Sequence, residues 1–457
     1  MGWRRVYTMR HIVSGLAAAV FALGCARVAV ADPAAPSAAT IFNHGGDGGW
    51  WLSGQLNVIG QAHGRFPSPY EGPNSLRAAP ERALSRVWTI HAGVRVAPRT
   101  DVLVHVESAG GSGLSSALGV AGFTNLDVVR NPSLGSAPYI GRALVHYTHP
   151  LSHDTVGATR GPFVLDSRLP ARRLELRVGK MSLADVFDVN AVGSDSHLQF
   201  MNWTIANNGA WDYAADTRGY TYALTTEWIN PRWTVRSGEA LMPTVANGIT
   251  LDWHLRRSRG ENLELELRPT PQFIVRLLGF ENHARMGSYR EAIAAVQHQP
   301  GARPDIEAHR SAGRIKRGLG VNGEYALASS IRLFTRAGWN GGDTESYAYT
   351  EVHHTVSGGG DVTGEHWRRP ADRLGVAVAA NGLSPGHREY LRLGGLGFLL
   401  GDGTLRYGRE TVLETYYNAH LWRGAFAAAG ASLLVHPGYN RDRGPAGIGS
   451  VRLHLDF

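Results

Sequence analysis

Cysteine, lysine and long apolar runs are what this chain has least of. Its single cysteine is Cys25, and lysine occurs only at Lys180 and Lys316, so nearly all the positive charge is arginine. After residue 31 no stretch offers the roughly 18 consecutive apolar residues that a membrane-spanning helix needs, so helical spans are excluded. The front of the chain accounts for the cysteine. Arg4, Arg5 and Arg10 precede an apolar run over 12–26, and Ala29-Val30-Ala31 precedes Asp32-Pro33. A charged start, a short apolar middle and an A-x-A site make residues 1–31 a secretory signal peptide. Leu23 disfavours the alternative cut before Cys25 that would give a lipoprotein. Cleavage after Ala31 leaves no cysteine for an internal disulfide, although the chain travels to an oxidising compartment. A small scaffold held by disulfides is thereby excluded. The leader also removes four arginines, which halves the formal net charge of +8. The mild basic bias that remains is not a nucleic-acid signature.

What is abundant is glycine, with 57 residues, alongside 12 Trp and 16 Tyr. That suits antiparallel strands and Gly-rich loops better than a helical enzyme. Residues 32–49, rich in Ala, Pro, Ser and Gly, read as a flexible linker. From residue 50 to 457 apolar and polar residues alternate in run after run. The last seven residues set the pattern: Val451, Leu453, Leu455 and Phe457 against Arg452, His454 and Asp456. A period of two gives each strand one greasy and one wet face. Runs at 50–61, 85–97, 101–108, 172–180, 261–268 and 330–340 repeat it. Others lie near 142–149, 218–229, 232–239, 247–255, 272–281, 315–327, 372–381, 388–393, 409–421 and 424–436.

The polar face of these runs is repeatedly charged, which suits a water-filled interior. Trp228, Trp233, Trp339 and Trp422 stand near run ends, where an interfacial aromatic girdle belongs. Connections at 97–100, 327–330 and 422–424 are short; those at 109–141, 181–217, 282–314, 341–371 and 437–446 are long. The pattern predicts an all-β fold: a transmembrane antiparallel β-barrel with short periplasmic turns and long extracellular loops. The runs number seventeen, whereas a bacterial barrel needs an even number. Parity breaks between residues 218 and 281, so sixteen strands are expected, with eighteen the second choice.

Three stretches are distinctive: Gln55 through Leu76; Gly179-Lys180-Met181 through Asn190, then Gln199 through Tyr220; and Tyr390 through Gly403, followed by Glu414-Thr415-Tyr416-Tyr417 and Pro437 through Pro445. In this order they resemble the carbohydrate-selective porins of the OprB family, over most of residues 50–457 and including the terminal Phe457. The resemblance implies an outer-membrane barrel of a Gram-negative cell that passes mono- or small oligosaccharides by passive diffusion. Its partners would be sugar solutes, outer-membrane lipid and lipopolysaccharide, and a barrel-assembly machinery engaging the strand that ends in Phe457. No cofactor is implied. The insertion at 287–314 matches no pattern.

Read as chemistry, the second stretch gathers Asp185, Asp188, Asn190, Asn202, Trp203, Trp211, Asp212, Tyr213 and Asp216. Carboxylates and amides hydrogen-bond sugar hydroxyls, and rings cover the apolar face of a pyranose. Folded into the lumen, such a loop would narrow the pore and bind sugar weakly, as conduction requires. The same residue types also hold loop turns by side-chain to backbone bonds, and their oxygen density would admit calcium. Alternation places Arg95, Glu107, Glu175, Arg177, Glu264, Glu266, Arg276, Arg332, Arg336 and Arg452 on the lumen face, either meeting solute or bracing the wall. Three alternatives stay open: a general, mildly anion-preferring porin, a barrel enzyme and an adhesin. No Gly-x-Ser-x-Gly elbow or His-Glu-x-x-His helix is present. His353-His354, in a Gly-rich loop, is expected to be solvated.

Overall fold

The computed structural model describes residues 40–42, 44, 48–127 and 134–457. The signal peptide over 1–31 and most of the linker over 32–49 lie outside the described residues. The strands, in chain order, are β1 (Trp50–His63), β2 (Glu81–Ala97), β3 (Thr100–Gly111), β4 (Tyr139–Pro150), β5 (Thr155–Gly157), β6 (Arg168–Pro170), β7 (Arg173–Met181), β8 (Thr221–Asn230), β9 (Trp233–Ala240), β10 (Arg259–Thr270), β11 (Phe273–Gly287), β12 (Arg310–Ala328), β13 (Ile331–Asn340), β14 (His354–Gly364), β15 (Arg369–Gly382), β16 (Glu410–Trp422), β17 (Ala425–Val435) and β18 (Ala446–Asp456). All but β5 and β6, which form a separate hairpin, join one closed sixteen-stranded antiparallel barrel.

The period of two decides which way each side chain points. In β10 Asn262, Glu264 and Glu266 are buried inward, whereas Leu263 is exposed on the outer face. In β18 Arg452 and His454 point in, and Val451 and Leu453 point out. A slip of one residue would put arginine and glutamate on the outer surface, so the charges fix the register as firmly as the leucines do. Trp228, Trp339 and Trp422 are all more than half exposed, at opposite rims of the outer face. Trp228 meets Trp233 edge to face, with centroids 5.1 Å apart.

Closure joins β1 to β18 from Gln55↔Asp456 to His63↔Ile448. Beyond that ladder Gly54 and Phe457 exchange both backbone hydrogen bonds, 2.7 and 2.9 Å. The Phe457 ring lies where a side chain on Gly54 would stand, 2.5 Å from an added Cβ. Glycine is therefore required opposite the terminal aromatic.

Strand number agrees with the sequence reading, but two runs and one connection are corrected. The run at 247–255, inside the interval where parity failed, is loop apart from one bridge, Pro243↔Leu251. The run at 388–393 belongs to a helix, Pro385–Arg392. Ser384 caps it by accepting from the His387 N–H, proline stands in its first turn, and His387, Tyr390 and Leu391 are buried at helical spacing. In the other direction, 341–371 is not one long connection, because β14 runs through it. Gly358-Gly359-Gly360 made that strand look like loop. Cβ atoms on Gly359 and Gly360 would fall within 2.3 Å of the Val376 carbonyl and 2.5 Å of the Arg332 carbonyl, so the glycines let neighbouring backbones close in.

At the end carrying β1's start and β18's finish the turns are short, with one exception: residues 151–172 form a long connection that carries the β5–β6 hairpin. At the opposite end the long loops fold inward. Residues 182–220, with a short helix at Trp203–Ala206, fill part of the barrel. The insertion at 287–314 begins with a helix, Tyr289–Val296, that packs on Pro385–Arg392, and Tyr289 stacks on His387 at 4.4 Å. His353 is also buried there, not solvated as expected, and accepts from the Ser384 N–H. Burial pushes both imidazoles well below the usual range, so the cluster holds neutral histidines.

Gly54→Val should destabilise the closed barrel by about 1–3 kcal/mol through overpacking, read as a lower midpoint for the heat-induced mobility shift in gels. In a Phe457→Ala background the same substitution should cost far less. Equal costs in both backgrounds would remove the ring from the account.

Candidate functional site

The lumen is built around the inward segment 182–220, and carboxylates on the wall hold it there. Glu264 of β10 accepts from the Asp188 N–H at 2.8 Å, and Glu324 of β12 accepts from the Ala191 N–H at 2.9 Å. On the far side of the barrel Glu414 of β16 accepts from the Met201 and Asn202 N–H groups at 2.7 and 3.0 Å. Arginines complete the seat. Arg336 of β13, fully buried, pairs with Asp188 at 3.0 Å and donates to the Ile205 carbonyl at 2.8 Å. Arg452 of β18 donates to the Ser196 and Gln199 carbonyls. The segment is thus tied to at least five strands around the circumference.

The sequence-selected residues of this segment mostly face one another or the wall. Asp188 also accepts from the Asn208 N–H and from Asn322, which bonds Asn190. Asn202 caps Trp203–Ala206 by accepting from the Thr204 N–H. Asp212 pairs with Lys316 at 3.0 Å and accepts from the Tyr347 and Ala348 N–H groups. Asp216 accepts from Arg218 and Tyr220 N–H groups in its own turn. Trp203, Tyr213 and Tyr349 stack on one another, Trp211 leans on Tyr213 at 4.8 Å, and its indole N–H donates to Asn262. Trp203, Trp211 and Tyr213 are all under a tenth exposed. Their faces are occupied by protein. Asp185 differs: its side chain keeps 23% of its surface exposed, and Arg142 of β4 donates to both its oxygens at 2.7 Å.

The wall charges form two arrays. Across six adjacent strands, β7 to β12, five arginines and five glutamates alternate: Arg173, Glu175, Arg177, Glu227, Arg236, Glu264, Glu266, Arg268, Arg276 and Glu324. The array is neutral overall. On β13 to β15 Arg332 and Arg373 share Asp361 at 2.6 and 3.1 Å, which leaves local positive charge. Arg95 binds Asp101 and Asp166, and Glu107 accepts from the Tyr220 and Tyr139 hydroxyls. Among the described residues no group of His, Cys, Asp and Glu is arranged to hold a metal ion.

Sequence reasoning missed Glu414, Glu324, Asp361 and Arg142. The alternation that exposed Glu264 and Arg332 runs through Glu414, Glu324 and Arg142 too, so the signal was present there; at Asp361 the three preceding glycines hid it. It missed His197 as well, for which periodicity offers none. His197 stacks on His454 and faces Asp127 at 3.1 Å. Burial alone would lower its imidazole; Asp127 outweighs burial, and the pKa rises to about 9.

A closed barrel with an apolar outside and a charged, loop-narrowed inside is an outer-membrane porin. The family described as carbohydrate-selective porin, OprB family, matches residues 160–457, well over half of the sequence, and the chain belongs to that family. It is a porin of the Gram-negative outer membrane through which carbohydrates diffuse. No curated protein matches it by sequence. Among solved structures it is similar to the high-pH structure of Pseudomonas putida OprB, with a TM-score of 0.67 and 13% identity over 90% of this chain and 94% of that one; at that identity the likeness shows the fold. It is also similar to an anion-selective porin from Comamonas acidovorans, with a TM-score of 0.49 and 7% identity over 89% of this chain and 99% of that one.

Two outcomes are expected. Glu414→Ala leaves two backbone N–H groups without their charged acceptor, at roughly 1.5–3 kcal/mol each. Single-channel conductance should rise and become noisier as the 199–204 turn loosens; an unchanged trace would mean that Glu414 does not hold the constriction. For His197 the folded pKa exceeds the unfolded value of about 6.5, so the ion pair's contribution is whole below about pH 6.5 and is lost as pH rises through about 9. His197→Gln should therefore lower the unfolding midpoint near pH 6 and leave it unchanged near pH 10.

Proposed function

We propose that sugar flux through this porin is set by a weak, saturable site in the lumen where residues 182–220 narrow it. The observation that carries this reading is the anchoring of that segment to opposite walls. A loop held at both sides of a pore is a fixed constriction and not a moving lid. Within it Asp188, Asn190, Asn202, Trp203, Trp211, Asp212, Tyr213 and Asp216 act as the frame, and Asp185 meets the solute. The neutral array of Glu175, Arg177, Glu264, Glu266 and Arg276 orients water and neutral hydroxyls without trapping an ion. Arg95 and Glu107 brace the wall, and Arg336 and Arg452 seat the segment on it. Arg332, sharing one carboxylate with Arg373, supplies a mild anion preference.

Such a chain is a passive conduit and carries out no catalysis. Its outer face contacts outer-membrane lipid and lipopolysaccharide, and the strand ending in Phe457 presents the aromatic terminus to a barrel-assembly machinery. Two features support these readings: the apolar outer face with its tryptophans at the rims, and the closure of β18 on Gly54.

Planar-bilayer recording tests the proposal. A pyranose should reduce the single-channel current saturably, with half-block in the millimolar range, on the order of −4 kcal/mol of binding. Arg332→Glu with Arg373→Glu should shift ion selectivity toward cations and leave the sugar block in place. Current indifferent to every sugar would reduce the protein to a pore without a site.

A further inference from the structure

A second inward segment enters the barrel from the end that carries the chain termini. Part of connection 151–172 climbs the inner face of β3 in register with its inward positions. Asp166 meets Arg95, itself bound to Asp101. Leu165 covers Gly93, which pairs with Leu103. The Pro162 carbonyl lies 3.2 Å from His105 Nε2, and the Phe163 ring meets the His105 ring edge-on at 5.1 Å. From Asp101 to His105 is a climb of about 13 Å at the usual strand rise. The segment therefore brings Phe163 well into the barrel.

There it meets the segment that descends from the opposite end. The Arg142 guanidinium has the Phe163 ring 5.2 Å away and the Tyr220 ring 5.1 Å away. In its own plane it is fixed by two bonds to Asp185 and one, at 3.4 Å, from its Nη1 to the Tyr220 hydroxyl. Those bonds leave guanidinium N–H donors and carboxylate lone pairs unused. The Asp185 and Arg142 side chains keep 23% and 15% of their surface exposed, and Phe163 is half-buried.

We infer that Phe163, Arg142 and Asp185 form the sugar subsite of the pore, with Phe163 as the ring on which a pyranose rests. The inference rests on the lumenal sugar site proposed above and locates its aromatic face. A pyranose offers C–H groups on one face and hydroxyls around its rim. A partly exposed ring under a rigid, planar guanidinium–carboxylate pair complements both. The rings of Trp203, Trp211 and Tyr213 cannot take this part, because each is covered by protein. The chemistry fixes the ligand class as a neutral pyranose.

The test is single-channel current block in planar bilayers by D-glucose, with glycerol as a probe that has hydroxyls but no ring face. Phe163→Ala should weaken glucose block about tenfold, the step set by one lost stacking contact, and leave the response to glycerol unaltered. Phe163→Trp should block at least as tightly as the native chain. Heat-induced mobility shifts would show that both variants are folded barrels. Glucose block unchanged in Phe163→Ala would overturn the inference and leave the lumenal site standing elsewhere. Equal weakening in the alanine and tryptophan variants would overturn it too, since the segment would then be a spacer. A native channel that glucose does not block would fail the lumenal site itself, a result separable from the other two.

Discussion

Everything inside this barrel depends on one kind of bond: a wall carboxylate accepting backbone N–H groups from a loop. Glu264, Glu324 and Glu414 hold 182–220 in this way, and Glu410 takes the Ala121 and Gly438 N–H groups; between two loops, Glu351 takes those of Leu399 and Leu400 in the same manner. A loop that leaves water must satisfy its backbone donors, since an orphaned N–H costs as much as a lost hydrogen bond. A carboxylate meets two donors at once, and a charge-assisted bond is about twice as strong as a neutral one. The same pairing offsets part of what burial costs the carboxylate, since a buried charge without partners is driven to protonate. Loop and wall therefore stabilise each other.

This constraint reaches back to the strands. A wall that must present glutamate inward at chosen heights needs the period of two to hold without slippage. Leucine, valine and tryptophan on the other face enforce that from outside. Arginine dominates over lysine on the inner face, where its fork spans two acceptors at once. Arg236 bonds Glu227, Glu264 and Glu266 together, which a single ammonium could do only at a cost in geometry. The two buried tasks differ. Lys316 meets one carboxylate, Asp212, at the floor of a loop.

The barrel was legible in the sequence because alternation is local: the outward face of Leu263 and the inward face of Glu264 need only each other to be read. The sixteen strands were legible through parity, which pointed to a false run before any contact was known. Gly358–Gly360 escaped because glycine carries no face at all, and the role of those residues appears only once Val376 and Arg332 lie alongside. Tyr390 escaped for the converse reason, since a short alternation such as 388–393 is compatible with two turns of helix. The site was legible as composition and not as contact. Asp188, Asp212, Trp203 and Trp211 were identified as a group that belongs in the lumen. That the first three would face Arg336, Lys316 and Tyr349 depends on residues more than a hundred positions away, which periodicity cannot reach.

Those long-range contacts divide the polar residues into two populations, and the division bears on selectivity. A carboxylate bonded to a backbone N–H and an arginine, as Glu264 and Glu324 are, or to two backbone N–H groups, as Glu414 is, has little left for a passing hydroxyl, so these three define the shape of the lumen and not its affinity. Affinity falls to pairs whose geometry is fixed but whose edges stay open. Arg142 with Asp185 is such a pair, and Arg332 with Asp361 and Arg373 is another. Both are held by partners that do not surround them, so a solute meets a prearranged surface and loses little entropy of the protein in binding. Because each contact exchanges a hydrogen bond to water for one to protein, the net gain stays near 1 kcal/mol. A pore that must release what it binds is served by that small difference, and the strong interactions can be reserved for the loops that give it its width.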